Sequence, residues 1–184
     1  MARGRPSKKQ LILDTARDLF AEKGYQGTSI DLVVKQAGVS KPTVYNNFKT
    51  KQALLFALME NLSSESEAFC EQLWQQENIS AADGIIKVFE NIADSPALLA
   101  IYRICYGESH KLEQDTYALF KAFDTQLVER YEQWLSNQKF IVSDTNFFIT
   151  IAICREGILI PALSGTAGQC RELIRETVTL QLKN

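Results

Sequence analysis

Ala37-Gly38-Val39-Ser40-Lys41-Pro42-Thr43-Val44-Tyr45 is the stretch on which the fold turns. Ala37-Gly38-Val39-Ser40 is a tight turn, and Ser40 is a residue type that caps helices by accepting a backbone N–H. Pro42 falls in the first turn of the helix that follows, where its missing N–H is tolerated. In that helix Val44 and Phe48 face inward, leaving Lys41, Thr43, Tyr45 and Asn46 facing out. Upstream, Thr28 precedes Ile30, Val33, Val34 and Ala37 at i, i+3, i+4, i+7, with Asp31 as a capping partner three residues on, so a short helix opens there. Further upstream, Ile12, Ala16, Leu19 and Phe20 recur with helical period from about Ser7 to Lys23, and Gly24 ends that helix. Two short helices joined by a glycine-containing turn, behind a third, describe a helix-turn-helix, whose second helix enters the DNA major groove.

The charge agrees. Residues 1–51 hold ten Lys and Arg against four Asp and Glu, a net +6, so the remainder carries −8 to give the chain its −2. A basic head on an acidic body is the balance expected of a polyanion-binding module fused to a differently employed scaffold.

Downstream the helical period continues. Thr50-Lys51 starts a helix whose apolar line Leu54, Leu55, Leu58, Leu62, Phe69, Leu73 runs to about Gln76. Further helices are expected at about 80–93, 95–107, 109–138, 143–164 and 168–183, and no run alternates as a strand would. The fold class is therefore all-α: a three-helix helix-turn-helix domain plus an α-helical ligand-binding and dimerisation domain. The organisation reads as a flexible basic arm over 1–8, the helix-turn-helix over 7–53 and the helical body over 54–184. In the 143–164 segment, apolar residues cover the whole circumference, which implies burial on both sides and hence a homodimer. Pro161 is expected to end or kink that helix near Ile160. Its longest apolar run, Phe147 to Cys154, is stopped by Arg155-Glu156, short of the roughly 20 residues of a membrane span. No signal-peptide pattern follows the basic start, so a cytoplasmic protein with no membrane partner is expected. Cys70, Cys105, Cys154 and Cys170 lack C-x-x-C spacing and read as reduced, buried thiols.

Thr28-Ser29-Ile30, Ala37-Gly38-Val39-Ser40-Lys41, Thr43-Val44-Tyr45 and Phe48-Lys49-Thr50-Lys51 with Leu54 resemble the amino-terminal domain of the TetR family of bacterial transcriptional regulators. Val34, Pro42, Asn46 and Asn47 depart from the usual pattern, which bears on the operator sequence and not on the fold. The body, through Ile101-Tyr102-Arg103 with Glu108 and Tyr117-Ala118-Leu119-Phe120-Lys121, is similar to AcrR/AefR-type members. The resemblance implies a double-stranded DNA operator bound by Ser29, Ser40, Lys41, Pro42, Thr43, Tyr45, Asn46 and Lys49, with Thr28, Lys51 and Tyr45 on phosphates and Lys41, Thr43 and Asn46 toward base edges. There Asn reads adenine, Thr touches a thymine methyl and Pro42 offers apolar contact alone. Arg3 and Arg5 are similar to arms that enter an A/T-rich minor groove.

The same resemblance implies a homodimer formed by the last two helices, through Phe148, Ile158, Leu159, Leu173 and Ile174, and a small hydrophobic effector. Phe89, Tyr102, Arg103, Tyr106, Tyr117, Phe120, Phe123, Phe147 and Ile151 are the candidate lining, and equally an ordinary aromatic core. Arg103 is placed to pair with Glu108 or Glu113, and His110 is read as a surface residue. No nucleophile elbow, P-loop, dinucleotide fingerprint or metal-ligand spacing is present in the sequence, which argues against an enzyme, a cofactor or a metal site. The function implied is a repressor released from a palindromic operator by its effector. The alternative is a DNA-binding regulator whose body answers to a protein partner.

Overall fold

The computed structural model describes residues 7–183. Ten helices occur in these residues, in the order α1 Lys8–Gly27, α2 Ile30–Ala37, α3 Lys41–Asn47, α4 Lys51–Trp74, α5 Ala81–Asp94, α6 Pro96–Gly107, α7 Gln114–Asn137, α8 Asp144–Cys154, α9 Ile160–Ser164 and α10 Arg171–Gln181. A 3-10 turn, Ser109–Lys111, precedes α7, and a π-helical turn, Arg155–Leu159, joins α8 to α9. The all-α class holds, with two local departures. The helix expected from 109 begins at Gln114, and beyond the break expected at Gly24, which takes positive φ (φ 66°, ψ −173°), a further helical turn runs to Gly27.

The chain forms two compact units that interleave along the sequence: residues 1–64 with 96–120, and residues 65–95 with 121–184. In the first, α1 packs on α2, α3 and α6. Its centre is Ile12, Ala16, Leu19, Phe20, Val33, Val44, Leu54 and Leu55, all buried. α1 contributes Ile12, Ala16, Leu19 and Phe20 at i, i+4, i+7, i+8, the period read from the sequence. Thus α6, which lies in sequence within the expected body, is built onto the same unit as the helix-turn-helix.

In the second unit, Trp134 stacks on Trp74 and on Tyr131 with ring centroids 5.8 Å apart, Trp74 and Tyr131 are tilted at 6.3 Å, and Phe147 lies 6.0 Å from Tyr131. Their polar atoms are satisfied. The Tyr131 hydroxyl donates to the Ala81 carbonyl at 2.7 Å, the Trp74 indole N–H to the Gly84 carbonyl at 3.1 Å, and the Trp134 N–H to the Trp74 carbonyl at 3.3 Å. α10 is tied to α5 by Arg171–Glu90 (3.0 Å) and Arg175–Asp83 (2.9 Å). Burial pushes the Asp83 carboxyl up, but the Ser80 hydroxyl and Arg175 outweigh it and hold the group below its ordinary range.

Of the two outcomes expected of Pro161, an end or a kink near Ile160, the helix does not end there; regular α-helix gives way to a π turn immediately before it. A proline at 161 cannot donate to the carbonyl of Gly157 and would clash with it in an α-helix. The π turn over 155–159 absorbs the misfit, the Gly157 carbonyl instead accepts the Gln169 N–H at 3.2 Å, and helical structure continues to Ser164 and the left-handed Gly165 cap. Asp144–Ser164 is consequently 21 residues long and contains an 18-residue window of mean hydropathy 1.7, enough by length and composition to cross a membrane. Its middle carries Arg155, ion-paired to Asp124 at 2.8 Å, and it packs on α5 and α10, as a core helix does. Only a third of its most apolar window is buried within the protomer.

Cys70, Cys105 and Cys154 are buried thiols, whereas Cys170, at the cap position of α10, is exposed, contrary to the expectation for it. Burial pushes the three buried thiols up, Cys70 to about 11 and Cys105 and Cys154 each to about 12.

Candidate nucleic-acid interface

The Ser40 hydroxyl accepts the Thr43 N–H at 3.3 Å and lies 2.8 Å from the Thr43 hydroxyl, so α3 starts where the sequence placed it. Gly38 takes φ +62° with open space around it; the turn needs glycine for backbone conformation and not for clearance. Val44 and Phe48 are buried, which rotates Lys41, Pro42, Tyr45 and Asn46 outward, with Thr43 half-buried. Tyr45 keeps 41% of its surface exposed, a large amount for an aromatic ring on a seven-residue helix. The Lys41 ammonium pairs with Asp31 at 2.7 Å and stands 5.9 Å over the Tyr45 ring, and the hydrogen bond and charge of Asp31 raise its pKa. Asn47 donates back to the Thr43 carbonyl, and Lys49 is exposed just beyond the helix.

Two positions depart from the reading. Thr28 does not cap α2: its hydroxyl donates to the Gly24 carbonyl at 2.8 Å and the residue is buried, while Ser29 caps by accepting the Leu32 N–H at 3.1 Å. Lys51, read as a phosphate contact, is half-buried. Its ammonium donates to the Tyr25 carbonyl at 2.7 Å and lies 4.1 Å over the Tyr25 ring; burial lowers its pKa, with Glu108 opposing. Nothing local in the sequence could have shown this, since Tyr25 and Lys51 are 26 residues apart. Arg3 and Arg5 lie outside the described residues, and Ser7, placed in the arm, caps α1 through the Gln10 N–H.

The nine residues read as effector lining divide between the units. In the first, Tyr102, Tyr106 and Phe120 pack on one another with centroids 5.2–6.1 Å apart, and Arg103 and Tyr117 are exposed. Glu108 pairs with Lys111, at 3.5 Å. In the second, Phe89 and Phe123 are buried. Phe147 and Ile151 line an open groove of about 350 Å³, with Val128 and Phe148 as further apolar walls and the Arg155–Asp124 pair at its edge. Of the residues read as dimer contacts, Ile158, Leu159 and Ile174 are buried in the protomer's own core by the packing of the π turn and α10 on α5. Phe148 is 73% and Leu173 53% exposed.

Residues 12–58 match the family model described as bacterial regulatory proteins, tetR family. The chain is 41% identical over 68 residues to the uncharacterized HTH-type transcriptional regulator YvkB of Bacillus subtilis, a match covering 37% of this chain and 35% of that one. It is 33% identical over 79 residues to the HTH-type transcriptional repressor ComR of Escherichia coli, covering 39% and 38%. These alignments thus span little more than a third of either relative. Over 98% of its length it superimposes on a TetR transcriptional regulator from Legionella pneumophila, covering 100% of that chain with a TM-score of 0.75 and 18% identity, which is a likeness of fold.

Proposed function

We propose that the chain is a member of the TetR family of bacterial regulatory proteins, whose model residues 12–58 match, and that it is a sequence-specific DNA-binding transcriptional repressor. The observation that carries this reading is α3: an outward row of Lys41, Pro42, Tyr45 and Asn46 on a helix fixed from behind by buried Val44 and Phe48. Such a helix enters a major groove with its side chains held at one angle, so hydrogen bonds to base edges are made without ordering the backbone first. Ser29 and Lys49 reach phosphates, and Thr43 and Asn46 reach bases. Arg3 and Arg5 are assigned to the minor groove. Repression is favoured by the similarity to a protein described as a repressor.

The protein works as a homodimer in the cytoplasm, with Phe148 and Leu173 at the interface and two recognition helices about 34–36 Å apart on a palindromic operator. A small hydrophobic effector changes that separation and loosens DNA binding while the dimer persists, through a coupling of about 1–3 kcal/mol. The groove at Phe147 and Ile151 supports an apolar effector.

The test is selection of bound fragments from random duplex DNA by the purified protein at fixed salt, followed by anisotropy titration of the enriched site. A palindrome bound far more tightly than random DNA, and lost with Thr43→Ala or Tyr45→Ala, is the expected result. Absence of any enriched site refutes sequence-specific recognition.

A further inference from the structure

The environment of Lys51 raises a question of its own. A partly buried ammonium needs an anion or several acceptors to offset lost hydration. The Tyr25 carbonyl and ring supply part of that, and Glu108, placed beside the same break in α1, adds negative charge that opposes the effect of burial. Glu108 is fixed to the last turn of α6 by its N–H, which donates to the Ile104 carbonyl at 2.8 Å. Its Oε1 lies 3.6 Å from the point where a Cβ on Gly24 would stand, beside the break in α1 that Tyr25 follows. Its Oε2 is buried and makes no hydrogen bond among the described residues, with the Lys111 ammonium 3.5 Å away. A buried carboxylate oxygen without a donor is retained through nearby charge, and the Lys111 ammonium and, through space, Lys51 are among the cations that bear on this carboxylate. The other groups that bear on this spot are Tyr25 and Glu113. The Tyr25 hydroxyl is pushed up by burial, then by Glu113 and Glu108, so it stays neutral and contributes no competing charge.

We infer that Glu108 is a positioning residue for DNA binding: its carboxylate holds the Lys51 ammonium against the end of α1 and so withholds one cation from a DNA phosphate. The inference rests on the DNA-binding reading above. With Glu108 neutral, the ammonium at Tyr25 loses its compensating charge, and Lys51 gains more by turning out to solvent or to a phosphate. Because Glu108 continues α6, any shift of that helix changes the number of cations the head offers to DNA.

The experiment is anisotropy titration of a fluorescein-labelled random-sequence 30-base-pair duplex, for wild type, Glu108→Gln, Lys51→Met and the double variant, between 50 and 200 mM salt. One added phosphate contact steepens the slope of log K against log salt by about 0.9, so the advantage of Glu108→Gln over wild type should shrink about 3.5-fold over that range. In the Lys51→Met background the same substitution should change neither affinity nor slope, whereas a generic loss of one negative charge would act equally in both. Should Glu108→Gln lower the melting temperature enough to perturb the head, Lys111→Met gives the converse. It leaves the carboxylate bearing on Lys51 and weakens binding only while Lys51 is present. An unchanged slope in Glu108→Gln, or an equal gain in the Lys51→Met background, overturns the inference and leaves the DNA-binding reading standing. A wild-type protein with no salt-dependent affinity for the duplex overturns both.

Discussion

Gly84→Ala pits two opposing effects against each other, and the structure decides the sign. On an exposed helix the change is favourable by about 1 kcal/mol, because alanine loses less backbone entropy on folding. Here the new methyl would stand 2.7 Å from Cζ3 and 2.9 Å from Cη2 of Trp134. Unstrained carbon contacts lie at about 3.5–4.0 Å, so something must move by about 0.8 Å. The indole cannot easily yield, since it stacks on Trp74 and on Tyr131, both at 5.8 Å, and donates to the Trp74 carbonyl. Overpacking a well-filled site costs about 1–3 kcal/mol, which leaves a net loss of about 1 kcal/mol and a fall in Tm of about 2–4 °C. The only two tryptophans of the chain, Trp74 and Trp134, both sit in this cluster, so thermal unfolding followed by tryptophan fluorescence reports on it directly. Gly107→Ala, where a methyl meets nothing within 4 Å, is the control and should hold or raise the Tm. A Trp134→Phe background, which removes the contacted ring edge, should turn Gly84→Ala neutral or stabilising. A Tm for Gly84→Ala equal to or above wild type would refute the reasoning.

Other outcomes can be checked as directly. Asn46→Ala should relax base preference at one operator position by about 1–3 kcal/mol with the salt slope unchanged, whereas Lys49→Ala should weaken all sequences alike and reduce the slope by about one; anisotropy on operator and random duplexes separates the two. Phe148→Asp with Leu173→Asp places charge on exposed apolar positions and should convert the dimer to a monomer of unchanged helicity, read by light scattering and circular dichroism. In the native protein Ellman's reagent should titrate one thiol, Cys170, and four after denaturation. The three buried thiols have folded pKa values above the ordinary value near 9, so in that window the unfolded state ionises first. Their contribution to stability is complete below about pH 9 and lost between about 9 and 12; a Tm that stays flat from pH 8.5 to 10.5 would contradict it.

The sequence by itself determined the features that depend on neighbours in the chain. Ser40, Pro42 and Gly38 fix where α3 begins and how the turn before it bends, because capping and positive φ act over three or four residues. The period of Ile12, Ala16, Leu19 and Phe20 gave the buried face of α1, and Val44 with Phe48 gave that of α3, so the outward row of α3 was legible in the sequence. Tertiary structure decided what depends on partners distant in sequence. Thr28 and Lys51 look like free polar groups at helix starts, yet the carbonyls of Gly24 and Tyr25, exposed by a break in α1, claim both. Ile158, Leu159 and Ile174 look like an interface, and the packing of α10 and the π turn on α5 spends them inside the protomer. Periodicity reports that a face is apolar. Which surface covers it depends on where other helices are placed, and for Pro161 even the continuation of the helix depended on a carbonyl finding the N–H of Gln169 across a loop.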